Sequence, residues 1–319
     1  MKLSLIVPVF NEEQNLPLLF EAVERTMNAL PHSWELVFVD DGSNDGSLAM
    51  MKRLAQQHPE QVRVVVLRRN YGQTAAIVAG IDHAQGEIII LLDADLQNDP
   101  ADIPLLLAKL DEGYDLVSGW RKERKDTFFT RTLPSRMANA LISYVTGVRL
   151  HDYGCTLKAY RREVLSGFRL YGEMHRFIPV FAASVGARIT EIVVNHHPRK
   201  FGKTKYGLER TVKVILDLFT VKFLVSYSNK PIYVFGGMGM LLGIGSVVMM
   251  TYLFIRRMMQ SVSVLGSPLF QLAVMFLILG FQSFLMGLIA ELQVRTYHES
   301  QRKPTYTLRE VVNLDKKRE

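Results

Sequence analysis

The chain has 319 residues, enough for one full α/β domain plus an appendage, and its mean hydropathy of +0.10 is slightly high for a soluble protein. A formal net charge of +7 with a pI of about 9.4 leaves nucleic acid, a membrane surface and phosphorylated substrates as partner classes. No zinc-finger spacing, basic repeat or aromatic ribonucleoprotein motif supports nucleic acid, and a single cysteine, Cys155, excludes an intramolecular disulfide or a cysteine metal cluster.

The N-terminus does not read as a signal peptide. The apolar run from Leu3 to Val7 is short, is broken by Pro8 and meets Asn11-Glu12-Glu13 at once, so the first domain is expected on the cytoplasmic side. Leu3-Ser4-Leu5-Ile6-Val7-Pro8-Val9 reads as a buried strand. Asn11-Glu12-Glu13 is then expected to cap an amphipathic helix carrying Leu16, Leu19, Phe20 and Val23. Glu35-Leu36-Val37-Phe38-Val39 is a second strand, ending in Asp40-Asp41-Gly42-Ser43, and a helix with Leu48, Met51 and Leu54 follows. A third strand at 62–67 leads into Arg69-Asn70-Tyr71-Gly72, and a helix over 75–84 ends at Gly86. The run 88–92 is a fourth strand. Strands alternating with helices predict a parallel, doubly wound sheet, with every strand's carboxyl end on one side. Pro8, Asp40, Asp93 and Asp95 should therefore meet in one crevice, where ligands of open α/β sheets bind.

The fourth strand runs into Asp93-Ala94-Asp95-Leu96-Gln97. In an extended backbone the two carboxylates and the amide would all point the same way. Such hard oxygen ligands suit Mg²⁺ or Mn²⁺, above all an ion that also holds phosphate oxygens. Asp40 is placed to accept hydrogen bonds from a base or ribose; the competing duty, capping the turn at 42–47, fits Asp41 or Ser43 better. Glu12 reads equally as a ligand or as part of a helix start. Asp115-Leu116-Val117-Ser118-Gly119 is a short strand delivering Arg121. Arg121, Lys122, Arg124, Lys125, Arg131 and Arg136 crowd one stretch, either a solvated face or a cradle for an anionic acceptor. Met137, Leu141, Ile142 and Val145 recur at helical spacing, as core or as a face dipping into lipid. Asp152 is either a group near the transferred sugar or a turn carboxylate before Gly154. His196-His197 reads as structural, because no third ligand lies at suitable spacing.

Leu208, Val212, Ile215, Leu216, Phe219 and Phe223 follow a 3.6-residue period with charges on the other faces, which predicts an amphipathic helix on a membrane surface over 208–230. Uncharged stretches at 231–255 and 269–290 are long enough to span a bilayer and should form a hairpin of helices at about 231–256 and 268–291, with Gly239 and Gly243 on one face for close packing. Positive charge on the near side, from Lys213 to Lys303, puts both termini in the cytoplasm, against a minor counter-signal from Arg256-Arg257. The division expected is a catalytic domain at 1–207, the interface helix at 208–230, the membrane helices within 231–292 and a cytoplasmic tail at 293–319.

Val7-Pro8-Val9-Phe10-Asn11-Glu12, Val39-Asp40-Asp41-Gly42-Ser43, Asn70-Tyr71-Gly72-Gln73 and Asp93-Ala94-Asp95-Leu96-Gln97 together resemble the inverting family 2 glycosyltransferases of GT-A fold, whose sheet is a doubly wound mixed one. Gly119-Trp120-Arg121, Asp152-Tyr153-Gly154-Cys155 and Arg199-Lys200-Phe201-Gly202-Lys203-Thr204-Lys205-Tyr206 look like the polyprenyl-phosphate branch, which includes dolichol-phosphate mannose synthases and undecaprenyl-phosphate aminoarabinose transferases. The resemblance implies a nucleotide-sugar donor held by Pro8, Phe10, Glu12, Asp40, Asp93, Ala94, Asp95, Gln97, Arg199 and Lys205, with Mg²⁺ or Mn²⁺ on Asp95 and Gln97. It implies an acceptor phosphate on Arg121, Arg131 and Ser135, although Pro134 departs from many relatives. Asp152, Asp95 and Arg121 would be the catalytic set. A phosphate monoester with a second pKa of about 6 is already mostly dianionic at neutral pH, so Asp152 need not be a base. The resemblance further implies a homo-oligomer, a tetramer, in which the tail at 305–312 pairs with a neighbouring subunit. The sugar stays open among glucose, N-acetylhexosamine and formamidoarabinose, and UDP over GDP rests on resemblance alone. A processive polysaccharide synthase would need more membrane helices and a Gln-x-x-Arg-Trp motif, and neither is present. A non-catalytic membrane protein is disfavoured by the intact Asp-x-Asp-x-Gln set.

Overall fold

The computed structural model describes residues 2–122, 133–165, 170, 174–198, 218, 221, 232–260, 263–300 and 306–314. Arg131, Arg199, Lys203, Lys205 and nearly all of the expected interface helix at 208–230 lie outside them, and of Ser135 only the backbone is described. The chain divides into a unit of residues 1–221 with 304–319, and a unit of residues 222–303.

In the first unit the strands are β1 (Lys2–Val9), β2 (Ser33–Asp40), β3 (Val62–Leu67), β4 (Ile88–Leu91), β5 (Leu116–Trp120), β6 (Lys158–Arg161), β7 (Ile189–Val193) and β8 (Leu308–Val312). They form one eight-stranded sheet in the order β7-β5-β6-β4-β1-β2-β3-β8. The β4-β1-β2-β3 centre is parallel, as the strand–helix alternation predicts. Alternate residues of the central strands face opposite layers. Leu3, Leu5, Val7 and Val9 pack with helices α1 (Leu16–Asn28), α2 (Ser47–Gln57) and α4 (Ile103–Asp111). On the other face lies α3 (Gln73–His83), where a Cβ on Gly80 would stand 2.3 Å from Ile6 and 3.2 Å from Val39; only glycine allows that approach.

The sheet is mixed. β6 runs antiparallel to both β4 and β5, and β8 runs antiparallel to β3. The expectation that every strand presents its carboxyl end to one edge fails for these two. Being reversed, they bring the residues that precede them to that edge: 152–157 before β6 and 306–307 before β8. The tail pairing also differs from the expectation, because β8 docks on β3 of its own chain. The reason is local: β3 would otherwise be an edge with open backbone donors and acceptors, and Asn313 anchors the tail by donating from Nδ2 to Ala55 O (2.8 Å) and Val62 O (2.9 Å). Two further helices are α5 (Leu133–Thr146), with Pro134 in the first turn where its missing N–H costs nothing, and α6 (Ile178–Ser184).

The second unit is a hairpin of α7 (Ile232–Gln260) and α8 (Pro268–Ser300). Within them, 25 residues from Phe235 and 23 from Pro268 have mean hydropathies of 2.0 and 2.3, long and apolar enough to cross a membrane. The helices touch closely at Gly239, as expected, whereas a Cβ on Gly243 would meet nothing within 4 Å. A Cβ on Gly239 would lie 2.6 Å from the Gly280 carbonyl oxygen, and Ser246 Oγ donates to Ala273 O at 2.7 Å. Large apolar side chains such as Leu241, Phe254, Leu277 and Phe281 point outward and are exposed.

Candidate active site

The loops at the carboxyl edge are stitched to one another rather than to their own helices. After β1, Asn11 takes a left-handed backbone (φ 54°). Its N–H donates to Ser43 Oγ (3.1 Å), the Glu12 N–H to Ser47 Oγ (2.8 Å) and the Glu13 N–H to Asp45 Oδ2 (3.3 Å). In return Asn44 N–H donates to Asn11 Oδ1 (2.8 Å) and Gly46 N–H to Glu13 Oε2 (3.1 Å). The expected capping of the first helix by residues 11–13 is therefore not what happens. α1 begins at Leu16 with Asn15 as an N-cap that makes no side-chain cap bond. The polar groups of 11–13 are taken by the loop after β2. Glu12 keeps a supporting contact, accepting from Asn15 Nδ2 at 2.6 Å.

Asp40 and Asp41 divide their work unexpectedly. Neither Asp41 nor Ser43 caps α2, whose N-cap is Gly46. Asp40 makes the turn itself, accepting from the Ser43 N–H at 3.1 Å. Asp41 turns the other way and accepts from the N–H groups of Tyr71 (2.7 Å) and Gly72 (3.0 Å), tying the loop after β3 to the end of β2. Gly42 makes this possible, since its φ is 72° and a Cβ there would stand 2.6 Å from the Arg69 carbonyl carbon and the Asn70 nitrogen. Both carboxylates are almost completely buried. Burial pushes Asp40 upward against the Ser43 bond, and pushes Asp41 up to about 6 against its two backbone donors. Pro8 and Phe10 are half-buried on the same edge.

Asp93, Asp95 and Gln97 do not lie on an extended backbone. The chain leaves β4 into a turn, Leu96 is left-handed (φ 60°), and Asp95 Oδ1 accepts from the Gln97 N–H at 3.2 Å. The physical reason is that an aspartate carboxylate bonding two residues ahead stabilises a turn in competition with extension. The alternation argument for a shared direction is thus overturned. Asp93 Oδ1 accepts from Gln73 Nε2 at 2.8 Å, which joins the first turn of α3 to the motif. Among the described residues no group of three His, Cys, Asp or Glu is arranged for a metal. The half-buried donors are instead two carboxylates and an amide, with Ala94 buried between them. That all-oxygen set fits a hard divalent ion whose other ligands are phosphate oxygens or water.

The segment after the motif runs beside 195–197. His197 N–H donates to Gln97 O (2.8 Å), Asn98 bridges His196, and Asp102 accepts from Asn195 N (2.7 Å) and Nδ2 (2.8 Å). His197 Nε2 bonds Asp99 Oδ2 at 3.0 Å, a structural tie of the kind expected of that histidine pair.

Arg121 and Asp152 meet although 31 positions apart: Nε to Oδ2 at 2.7 Å and Nη2 to Oδ1 at 3.0 Å, a bidentate pair. Their side chains are 12% and 3% exposed. Burial opposes the charge on Arg121, and the Asp152 carboxylate outweighs it, so the guanidinium is held firmly protonated, with Asp93 adding its field. Asp152 Oδ1 also accepts from the Gly154 N–H at 3.0 Å. Gly119 fits against Leu157 O, where a Cβ would stand at 2.8 Å. Cys155 is fully buried, and its thiol is pushed up to about 11 by that burial.

Sequence reasoning missed Lys158. It is buried at the start of β6, where burial pushes its pKa down, and it donates from Nζ to Tyr153 O (3.2 Å) and to Cys155 O. The signal was a lysine inside the apolar run 155–160. The Trp120–His151 stack, with centroids 4.2 Å apart, and the Thr74–His175 bond of 2.7 Å also went unread. Nothing in the local sequence pairs such distant residues.

Residues 4–168 match the model of the glycosyl transferase family 2. The chain is 44% identical over 314 residues to the dodecaprenyl-phosphate galacturonate synthase of Rhizobium johnstonii, covering 98% of this chain and 93% of that protein. It is 36% identical over 316 residues to the undecaprenyl-phosphate 4-deoxy-4-formamido-L-arabinose transferase of Proteus mirabilis, covering 99% and 95%. Glucosyl-3-phosphoglycerate synthase of Mycobacterium tuberculosis, solved with UDP, superposes with a TM-score of 0.51 at 19% identity over 69% of this chain and 80% of that one. Mannosyl-3-phosphoglycerate synthase of Rubrobacter xylanophilus gives 0.53 at 14% identity over 70% and 74%. Those two share the fold, a GT-A-like mixed sheet. With its strand-end carboxylates on that sheet and near full-length identity to named sugar transferases, the chain belongs to glycosyltransferase family 2 and is an enzyme of that class.

Proposed function

We propose that the enzyme transfers a sugar from a nucleotide diphosphate, UDP-linked, to a polyprenyl phosphate such as undecaprenyl phosphate, with inversion, at the cytoplasmic face of the membrane. The observation that carries the reading is the gathering of Asp40, Asp93, Asp95 and the Arg121–Asp152 pair at one edge of the sheet, in a chain whose relatives are named for polyprenyl-phosphate products. Pro8, Phe10, Glu12, Asp40, Asp93, Ala94, Asp95, Gln97, Arg199 and Lys205 bind the donor. Asp95 and Gln97 would hold Mg²⁺ or Mn²⁺, which when bound neutralises the leaving diphosphate. Arg121, with Arg131 and Ser135, grips the acceptor phosphate. Asp152 is the partner that aims the Arg121 fork, a role that suits a nucleophile already dianionic at neutral pH and in no need of a base. The division at 207, 230 and 292 is kept in this reading, with the last strand of the tail belonging to the sheet of the catalytic domain.

The hairpin anchors the chain in the bilayer that carries the acceptor, which replaces a three-dimensional search with local concentration. The basic residues from Lys213 to Lys303 favour cytoplasmic termini. By resemblance the protein assembles as a homo-oligomer. The sugars to test first are those of the relatives' names, galacturonate and 4-formamido-4-deoxyarabinose, then glucose and N-acetylhexosamines. The test supplies each labelled UDP-sugar, Mg²⁺ or Mn²⁺ and a polyprenyl phosphate to the detergent-solubilised protein, and reads the lipid product by mass spectrometry. A glycosylated polyprenyl phosphate from one donor is expected. No lipid product from any donor sinks the reading, and undiminished transfer in excess chelator sinks its metal.

A further inference from the structure

The last strand reaches the edge of the sheet where Asp40 lies. Its ladder with β3 pairs Val64 with Val312, Val65 with Val311, Val66 with Glu310, and then Leu67 with Leu308. Arg309 is left over, the extra residue of a β-bulge. A bulge leaves its residue outside the ladder and re-aims its side chain, which is why bulges recur beside binding sites. On the neighbouring pair, Asp40 is opposite Val66. Asp40, Val66 and Glu310 thus stand in one row across three strands. At about 4.8 Å between strands that row is roughly 10 Å long, and the Arg309 side chain is long enough to cover most of it. The exposed Arg309 contributes a stabilising field at buried Asp40.

The backbone around the bulge is fixed. Arg68 N–H donates to Thr307 O at 3.0 Å and Arg68 Nε to Leu308 O at 3.1 Å, so the bulge is tied to the loop after β3. Asp41 holds that same loop three and four residues further on, at Tyr71 and Gly72. Glu310, next in the chain, pairs with Lys52 of α2 at 2.6 Å. The bland account is that Arg309 is a solvated charge guarding an edge strand against aggregation. A bulge is itself one way of blunting an edge strand, but this one falls at the ligand end of the strand, level with Asp40.

We propose that Arg309, carried by the C-terminal strand, belongs to the donor site and contacts the nucleoside end of a nucleoside diphosphate bound at Asp40. The inference rests on the donor reading above. A carboxylate that accepts and a guanidinium that donates, side by side, match a base or ribose edge carrying both kinds of group. Titration of the full-length protein in detergent with UDP and Mg²⁺ tests it in the wild type and in Arg309→Ala, Arg309→Lys and Glu310→Gln. Loss of one charge-assisted contact should raise the Kd for UDP about tenfold in Arg309→Ala. Arg309→Lys should recover part of that loss. Glu310→Gln, which loosens the tail's link to Lys52 and leaves the bulge, should bind as the wild type does. Wild-type affinity in Arg309→Ala overturns the proposal. So does an equal loss in Glu310→Gln, because docking of the tail and not the guanidinium would then be the cause. A wild type that does not bind UDP overturns the UDP-donor reading itself, a result these variants cannot produce.

Discussion

Replacing Asp152 by alanine removes half of a charge pair and leaves the other half in place. Arg121 keeps a buried guanidinium that two hydrogen bonds, of 2.7 and 3.0 Å, had satisfied. Removing one partner of a buried pair costs about 3–5 kcal/mol. The 12% exposure of Arg121 lets some water reach the orphaned charge, which favours the lower end, about 3 kcal/mol. In a domain of roughly this size each kcal/mol moves the unfolding midpoint by about 2–4 °C, so the expected fall is about 6–12 °C. Arg121→Ala should also fall, since the Asp152 carboxylate loses its guanidinium while keeping its bond from the Gly154 N–H. The double substitution Arg121→Met with Asp152→Leu removes both charges and should regain most of the loss, as buried pairs replaced by apolar residues do. Both tryptophans, Trp34 and Trp120, lie in the sheet unit, so intrinsic fluorescence at a fixed scan rate in detergent reports its melting. The same preparations are assayed for lipid product, and the double variant should fold without transferring sugar. A wild-type midpoint in Asp152→Ala, or singles and double that simply add, would refute the account of Asp152 as the partner of Arg121.

Asp95→Ala should abolish turnover while the protein stays folded, its melting midpoint lowered only by the lost turn bond to the Gln97 N–H, and excess chelator should abolish turnover of the wild type reversibly on adding Mn²⁺; retained turnover in either case removes the metal from Asp95. Gly239→Leu places a side chain where a Cβ already stands 2.6 Å from the Gly280 carbonyl. Overpacking costs about 1–3 kcal/mol, so the hairpin should become protease-sensitive at its loop while tryptophan fluorescence melts as before; equal protease resistance would show that the two helices do not touch there. Asp41, held at about 6 by burial, well above the ordinary carboxylate range, binds its proton more tightly folded than unfolded. Its contribution is fully present below the unfolded pKa and is lost as pH rises through the folded one. Between pH 5 and pH 7 the wild type should therefore lose roughly 1 kcal/mol relative to Asp41→Asn, which does not titrate. A stability difference independent of pH across that window would rule this out.

Most of the sheet centre is legible from patterning alone. The third strand falls at Val62–Leu67 as read, and the others differ from the reading by a residue or two at their ends. Long apolar runs buried on both faces leave little choice of conformation. β6 and β7 escaped notice. Lys158-Ala159-Tyr160-Arg161 is four residues long and has a charge at each end, so no period of two or of 3.6 can be recognised in it. In the candidate site, the strand-end placement of the carboxylates of 40, 93 and 95 was legible because residue type and position after an apolar run are local properties. Their partners were not, since Asp41 to Tyr71 and Gln73 to Asp93 depend on which loops become neighbours.

The sequence by itself determined the parallel strand–helix core and the two apolar helices, because hydrophobic period and segment length are properties of contiguous residues, and the enzyme class followed from the resemblance of its motifs to family 2. Tertiary structure alone decided the direction of the two reversed strands. Direction follows from which edge accepts a strand's hydrogen bonds, a matter of long-range pairing that no local pattern encodes. That reversal carries Asp152 to Arg121 and Arg309 to the row of Asp40, so the edge of the sheet gains its cationic partners from segments remote from the motif in sequence.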